Sequence, residues 1–417
     1  MPPAVIEHGF ADAPSRKGED CPDWHPATAP DAAAAYAIFD GHGGKLFSHT
    51  CGRTEEHGPD YNMLKRLLAA GGARSLPSDE VVRRLFWSQD EDVGTLLASR
   101  GEAQGGPNTG GSTAQVLMLL PQPGVGVQCL QAWVGDSTAL TVDMRSGGIV
   151  HATLDHTPYQ QSEYDALMLM AAVCKACRKK IKKARKKDRE ATAATAEDAD
   201  AADNSDDDDD GTGAAEDAED DVLPTTEMIG QVLSELKHTD GTGAHIERLL
   251  QALAREKLIG RYLKSSGKYR RDCHIYRRPK EKDANQPLTV HTTEDPFRKH
   301  HSDMMMTRSL GDWSKVAWIL PAPETRRATV GAHEHVRIVL ASDGLWDVVS
   351  HEEAADLTRR APTAQAAAQA LVDAAKFVYL EERGLALPGD DTTVLVVEIN
   401  PSRLPFKPVR KQGCAVM

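Results

Sequence analysis

A chain of 417 residues with a 40% hydrophobic share has apolar material for one large core interrupted by an insertion, or for two to three domains. Its formal net charge of −13 is local: residues 197–221 hold fourteen Asp or Glu and no Lys or Arg, and without those fourteen charges the total is +1, so charge does not make the folded body a nucleic-acid-binding surface. The seven cysteines, at 21, 51, 129, 174, 177, 273 and 414, show no disulfide-framework spacing, no apolar run approaches the length of a membrane span, and the first seven residues lack the parts of a signal peptide, which together point to a reducing, intracellular compartment.

Aromatic residues are only 5% of the chain, so packing relies on aliphatic side chains. Pro22, Pro26 and Pro30 read as a loop, and residues 33–39 as a strand that delivers Asp40. Helices are predicted over 61–70 and 79–84, the second capped by Ser78. A glycine-rich loop spans 101–111. Residues 113–120, 127–134, 137–142 and 149–154 are short, apolar or alternating runs separated by Gly and Pro, which predicts hairpin-connected strands in an antiparallel sheet.

From Ser162 the character changes. Residues 175–189 are heavily basic and have three readings: a solvated helix folded toward the acidic run, a nuclear address, or a lipid contact. The acidic, Ala-rich run 190–221 lacks the apolar content to bury a core and is expected to be disordered. Two amphipathic helices follow, over 227–237 behind Thr225 or Thr226 and over 245–263 with Ile246, Leu249, Leu250, Leu253, Leu258 and Leu263 on one face, then a basic loop, 264–282. Cys174 and Cys177 form a CxxC with no second pair at finger-like spacing, so zinc is not expected there. Beyond Thr289 the pattern of strands resumes with 336–341. Ser350 and Glu353 form a capping box, 364–383 is a helix closed by Gly384, and 393–399 is a last strand.

Two stretches organise this chain. Ala37-Ile38-Phe39-Asp40-Gly41-His42-Gly43-Gly44 and Ile338-Val339-Leu340-Ala341-Ser342-Asp343-Gly344-Leu345-Trp346-Asp347 are each an apolar run ending in a carboxylate followed by glycine. Singly, each reads equally as an ordinary strand-to-loop turn. Together they place oxygen ligands suited to magnesium, manganese or calcium. Lys17-Gly18-Glu19-Asp20, Gly110-Gly111-Ser112-Thr113-Ala114, Gly135-Asp136-Ser137, Thr307-Arg308-Ser309-Leu310-Gly311-Asp312 and Asp390-Asp391-Thr392-Thr393 complete an ordered set. In this order the motifs resemble the signature of the type 2C metal-dependent Ser/Thr protein phosphatases over residues 1–157 and 287–400.

The resemblance implies an α+β fold, two central antiparallel sheets sandwiched between helices (α-β-β-α). It divides the chain into a first phosphatase segment 1–157, a large insertion 158–286 where the family carries a flap, a second segment 287–400, and a basic tail 401–417. It implies hydrolysis of phosphoserine and phosphothreonine in protein substrates by a water activated between two Mn2+ or Mg2+ ions, in a monomer. By the same resemblance Asp40 bridges the ions, the Gly41 carbonyl, Glu19, Asp343 and Asp390 complete the ligand set, and His42 acts beside Asp40 as general acid. Asp390 is preferred to Asp391 because the family's ligand stands first in that motif. Asp136 and Asp347 match positions linked to a third, weaker metal, or are a turn Asp and a hydrogen-bond acceptor. Asp20 and Asp312 read as residues that support the ligands from behind or as structural, and Ser112 and Thr113 as strand-start packing. One departure stands out: where familiar members place a phosphate-gripping Arg, four residues before Glu19, this chain has Ser15, so Arg16 and Lys17 are the candidates for the substrate phosphate, as in a plant-type branch of the family. The rival class is an inactive scaffold that binds phosphoproteins.

The chain closes Cys414-Ala415-Val416-Met417 behind Lys407, Arg410 and Lys411, which matches a farnesylation box or is a chance ending. One lipid gives marginal attachment, and the basic residues supply a second signal toward anionic lipid, so a peripheral protein on a cytoplasmic membrane face is expected, with a nuclear location as the alternative. Cys414→Ser is expected to shift the protein from the membrane to the soluble fraction in cells; unchanged fractionation counts against the anchor.

Overall fold

The computed structural model describes residues 4–52, 58–72, 74–99, 110–163, 176, 179–188, 190–191, 231, 290–291, 303–312 and 319–400. The helices expected over 227–237 and 245–263, the acidic run, the CxxC and Cys414 lie outside them. The chain divides into two compact units: residues 1–157, 308–314 and 319–417 form one, and residues 158–307 and 315–318 the other. In the second, residues 179–188 are helical, Val290–His291 (β10) pairs antiparallel with Asp303–Met304 (β11), and the Thr307 hydroxyl donates to Glu163.

The first unit carries both sheets, and its architecture is α+β: two antiparallel sheets with helices on their outer faces. One sheet takes β1 (Ile6–Ala13), β8 (Thr138–Asp143), β9 (Ile149–Ala152), β14 (Val336–Ala341) and β15 (Thr392–Ile399) in the order β1-β15-β14-β8-β9. The other takes β2 (Cys21–His25), β3 (Ala34–Phe39), β6 (Ala114–Gln122), β7 (Gly126–Val134) and β13 (Glu324–Gly331) in the order β13-β7-β6-β3-β2. A small ladder of β4 (Gly41–His42), β5 (Gly111–Ser112) and β12 (Leu310–Gly311) sits beside them in the order β12-β5-β4.

The central strands are apolar without alternation because both their faces are buried. On β3, Ala34, Tyr36 and Ile38 point into the core between the sheets, with Leu117, Ile338, Leu340, Leu395 and Val397. Ala35, Ala37 and Phe39 point the other way, against helices Leu46–Gly52, Met63–Gly71 and Asp79–Ser99. On the sheet of β14 and β15, Val339, Val394 and Val396 face helices His351–Arg360 and Ala364–Phe377. Each buried Val, Leu, Ile or Phe among them contributes roughly 1.5–3 kcal/mol.

Several elements depart from the sequence reading. The four apolar runs from 113 to 154 do not make one sheet: β6 and β7 stay in one, β8 and β9 join the other, and the chain crosses at Gly135, whose φ of +92° and position 2.6 Å (as an added Cβ) from Thr113 leave room only for glycine. The apolar pattern of the sequence does not mark strands β1, β2 and β13. The prolines at 22 and 26 masked β2, yet Pro22 is tolerated because β2 is a sheet edge. The helix expected over 79–84 continues to Ser99; its apolar period is hidden because Gln89 and Asp90 share the buried face with Val82, Phe86 and Val93. Their burial is satisfied: Gln89 donates to the Tyr61 carbonyl (2.5 Å) and accepts from Arg66 (2.7 Å), and Asp90 accepts from the Gly311 N–H (2.5 Å). The helix expected from Tyr61 starts at Met63 behind Asn62, whose side chain accepts from the Lys65 N–H, and the long helix from Ala364 widens after Phe377 into a π-turn, Val378–Glu382, before Gly384 (φ +66°) ends it. The Ser350 cap forms, its hydroxyl accepting from the Glu353 N–H.

Far from the strand ends that carry the Asp-Gly motifs, β14 and β15 are clamped by charge. Arg337 and Glu398 are paired across the ladder, both buried, with the guanidinium 3.0 and 3.1 Å from the two carboxylate oxygens. The other Arg337 amino group donates to the Thr358 and Ala361 carbonyls at the end of helix His351–Arg360, and His335 bonds Glu398 at 2.7 Å. Burial pushes the Glu398 carboxyl up, but His335 and Arg337 outweigh it and hold the group below its ordinary value. Removing one partner of a buried pair strands the other's charge. Glu398→Ala is therefore expected to cost about 3–5 kcal/mol, read as a lower urea midpoint at unchanged slope; a loss under about 1 kcal/mol would show the pair to be dispensable.

Candidate active site

Strand β3 is stopped at Asp40 by hydrogen bonds on both sides of that residue. The Thr113 N–H donates to the Asp40 carbonyl (2.8 Å), and the Asp40 N–H donates to the Thr113 hydroxyl (3.1 Å), which also bonds Ser137 at 2.6 Å. Ser112 and Thr113 thus serve the strand start. Gly41 and His42 then pair with Ser112 and Gly111. An added Cβ at Gly41 would stand 2.7 Å from the Glu19 carbonyl oxygen, so this glycine is what lets the Glu19 backbone lie against the strand end.

Glu19 is fixed from two directions. Its carboxylate accepts from the Gly44 N–H (2.6 Å), and its own N–H donates to Asp391 (2.6 Å). The other Asp391 oxygen accepts from the Ser15 N–H at 2.5 Å, so Asp391 is spent on stitching the 15–19 loop. Burial pushes Asp391 up, yet those backbone donors prevail and hold it below the ordinary carboxylate value. Asp343 opens the single helical turn Asp343–Trp346 after β14. Gly344 lets that turn close on the Asp390–Asp391 segment: an added Cβ would stand 2.1 Å from the Asp391 carbonyl oxygen.

The electrostatics show which carboxylates share one space. Burial first, then the charges of Asp20, Asp343 and Asp136, push the Asp40 carboxyl well above its ordinary value. Burial and the charges of Asp136, Asp390, Asp347 and Asp20 do the same to Asp343. Burial raises Asp136 to about 6, with Asp155 adding to it and His42 opposing. Burial raises Asp20 to about 7 against hydrogen bonds from Thr393 and Ser342. Asp347 is raised by burial and Asp390, with Arg383 opposing.

The structure therefore brings Asp40, Asp136, Asp343, Asp347 and Asp390 into one cluster, with Gly41 and Glu19 at its edge. It moves Asp20 from a supporting role into the cluster itself. It also adds Asp155, which the sequence reading missed: burial and Asp347 raise it, and the Thr138 hydroxyl holds it at 2.6 Å. Asp155 lies three residues past β9, which carries His151 and is partly exposed, and His156 stands where Asp40 and Asp343 have glycine, so the Asp-Gly pattern passes over it.

His42 stands beside this cluster, its Nε2 2.6 Å from Asp312. Asp312, at φ +63°, also accepts from the Ser309 hydroxyl (2.6 Å), and the ladder beneath it is held by Asp90 on Gly311. Arg16 is exposed, whereas Lys17 reaches into the site, its Nζ 2.6 Å from Asp390. Burial pushes the Lys17 ammonium down, but the Asp390 contact outweighs it and holds the group above its ordinary value.

A hard divalent cation fits these residues. Oxygen Oδ1 of each of Asp20, Asp136 and Asp343 is sealed from solvent without a hydrogen-bond partner, an arrangement that costs free energy unless a positive charge meets it. An all-oxygen donor set is what magnesium or manganese takes.

A family profile described as protein phosphatase 2C matches residues 12–165 and 293–380, more than half of the sequence. The chain belongs to that family, whose members are metal-dependent Ser/Thr phosphatases. Among curated relatives, "Probable protein phosphatase 2C 12" of Arabidopsis thaliana is 31% identical over 121 residues, covering 28% of this chain and 26% of that protein. "Probable protein phosphatase 2C 33" of Oryza sativa subsp. japonica is 36% identical over 107 residues, 26% of this chain and 23% of that protein. The matched stretches thus span about a quarter of these relatives. The serine-threonine phosphatase 2C of Toxoplasma gondii shares the fold, with a TM-score of 0.52 at 13% identity over 96% of this chain and 100% of that one.

The raised carboxyls set a pH dependence. Asp136 and Asp20 titrate near 6 and 7 in the folded protein but near 3.8 when unfolded, so between those values the folded state holds more protons and its stability falls as pH rises. With divalent ions removed by EDTA, the unfolding free energy from urea titrations is expected to drop by roughly 2 kcal/mol or more from pH 5 to pH 8, and added Mn2+ to flatten that slope. A level or rising profile in EDTA refutes the electrostatic account.

Proposed function

We propose that this chain hydrolyses phosphoserine and phosphothreonine in proteins with two divalent cations, manganese or magnesium, held by Glu19, Asp40, the Gly41 carbonyl, Asp343 and Asp390. Asp136 and Asp347 are proposed to hold a third ion more weakly. The observation that carries the reading is the set of solvent-sealed, unpartnered carboxylate oxygens on Asp20, Asp136 and Asp343, gathered where β3 and β14 end. Bound there, a pair of such ions supplies Lewis-acid polarisation of phosphoryl oxygens and a lowered pKa for the attacking water.

The chain's own residues do the rest. His42 is assigned the proton that the departing Ser or Thr oxygen needs, because it lies within electrostatic reach of Asp136 and its ring is fixed by Asp312. Lys17 is assigned to the substrate phosphate as a point charge, a looser grip than the planar fork of an arginine.

Purified protein with Mn2+ is expected to hydrolyse a phosphothreonine peptide, and EDTA to abolish the activity. Asp40→Asn and Asp343→Asn are each expected to lower the rate by roughly three orders of magnitude or more at saturating Mn2+. Peptide binding without hydrolysis at any Mn2+ concentration would establish the scaffold reading in place of the enzyme.

A further inference from the structure

Asp390 is set apart among the clustered carboxylates by a lysine in direct contact with its side chain. Lys17 Nζ lies 2.6 Å from Asp390 Oδ2, while Oδ1 accepts from the Asp391 N–H at 2.9 Å, so both Asp390 oxygens are engaged from within the protein. The contact follows from the build of the loop. Asp391 grips the N–H groups of Ser15 and Glu19, the Lys17 N–H donates to the Ser15 hydroxyl (3.0 Å), and Gly18 at φ +60° turns the chain between Lys17 and Glu19. Lys17 is thereby aimed at the residue directly before the one that anchors its loop. The pair is accessible, with side-chain exposures of 49% for Lys17 and 31% for Asp390, so an ion from solvent can reach it.

Resting on the metal-centre reading above, we infer that Lys17 is a tethered cation that competes with a divalent ion for Asp390. An ion taking this carboxylate displaces the ammonium group, which is then free at the edge of the site to meet a phosphate oxygen. The competition makes the chain weaker for metal than its carboxylates alone dictate, and it couples metal loading to the freeing of the phosphate-binding group. A half-exposed ion pair holds its partners only modestly, so the expected effect on metal affinity is about three- to fivefold.

Isothermal titration of the full chain with MnCl2, without phosphate or substrate, reads the competition directly. In Lys17→Met one Mn2+-binding step is expected to tighten about three- to fivefold, with Lys17→Gln behaving alike and Lys17→Arg, which keeps a cation over Asp390, staying near wild type. Amine acetylation followed by mass spectrometry supplies a second measure on the unmodified protein: saturating Mn2+ is expected to raise the labelling of Lys17 severalfold over the EDTA-treated chain. Neutral variants that bind Mn2+ no more tightly than wild type overturn the competition and leave the metal centre standing. Lys17 labelling that is unchanged by Mn2+ does the same. Failure of every form to bind Mn2+ overturns the metal centre and this inference with it.

Discussion

Mutual repulsion among buried carboxylates is the constraint that the rest of this molecule answers. Burial raises the affinity of Asp20, Asp40, Asp136 and Asp343 for protons, the charges of Asp20 and Asp136 add to it on Asp40 and Asp343, and nothing in an apolar core holds like charges together by itself. They stay together because Asp40, Asp136 and Asp343 sit at or just past the ends of buried strands, and Asp20 is tied to that group by the Ser342 hydroxyl. The two sheets are fixed by the packing of Tyr36, Ile38, Leu340 and Leu395 between them, and the helices outside leave little freedom to splay. Burial elsewhere thus offsets an unfavourable charge density at one end, which is where a functional site is expected to sit.

Glycines and one aspartate make the crowding sterically feasible. Gly41 and Gly344 each let a second backbone segment approach where any Cβ would collide, one against Glu19 and the other against Asp391. Asp391 turns both its oxygens to backbone donors of the 15–19 loop. Two adjacent aspartates therefore have opposite fates: one orders the loop, and the other faces the cluster.

Much of this is legible in the amino-acid sequence. Strand ends announced themselves by apolar runs broken at Asp-Gly, and that signal located Asp40 and Asp343. The final strand and the Ser350 cap were equally plain. What escaped had physical reasons. Helix Asp79–Ser99 hides its period because Gln89 and Asp90 are buried through hydrogen bonds, and β2 hides behind prolines that only a sheet edge accepts. Asp155 carries no glycine after it, and the place of Asp20 inside the cluster depends on contacts across more than three hundred residues, which no local pattern records. The Lys17–Asp390 contact is of the same kind.

The charge clamp at the far end of β14 and β15 bears on this site despite its distance. Arg337 faces Glu398 in the same ladder that sets Ala341 opposite Val394, and the Ser342 N–H donates to the Thr393 carbonyl just beyond. Side chains on a strand alternate with a repeat of two, so sliding either strand by one step would turn its inward residues outward. The guanidinium and carboxylate pin the alignment from behind, as an index mark does on a ruler. Loops around the opening can then lengthen or change in composition over evolutionary time while the two arms that carry Asp343 and Asp390 keep their mutual phase.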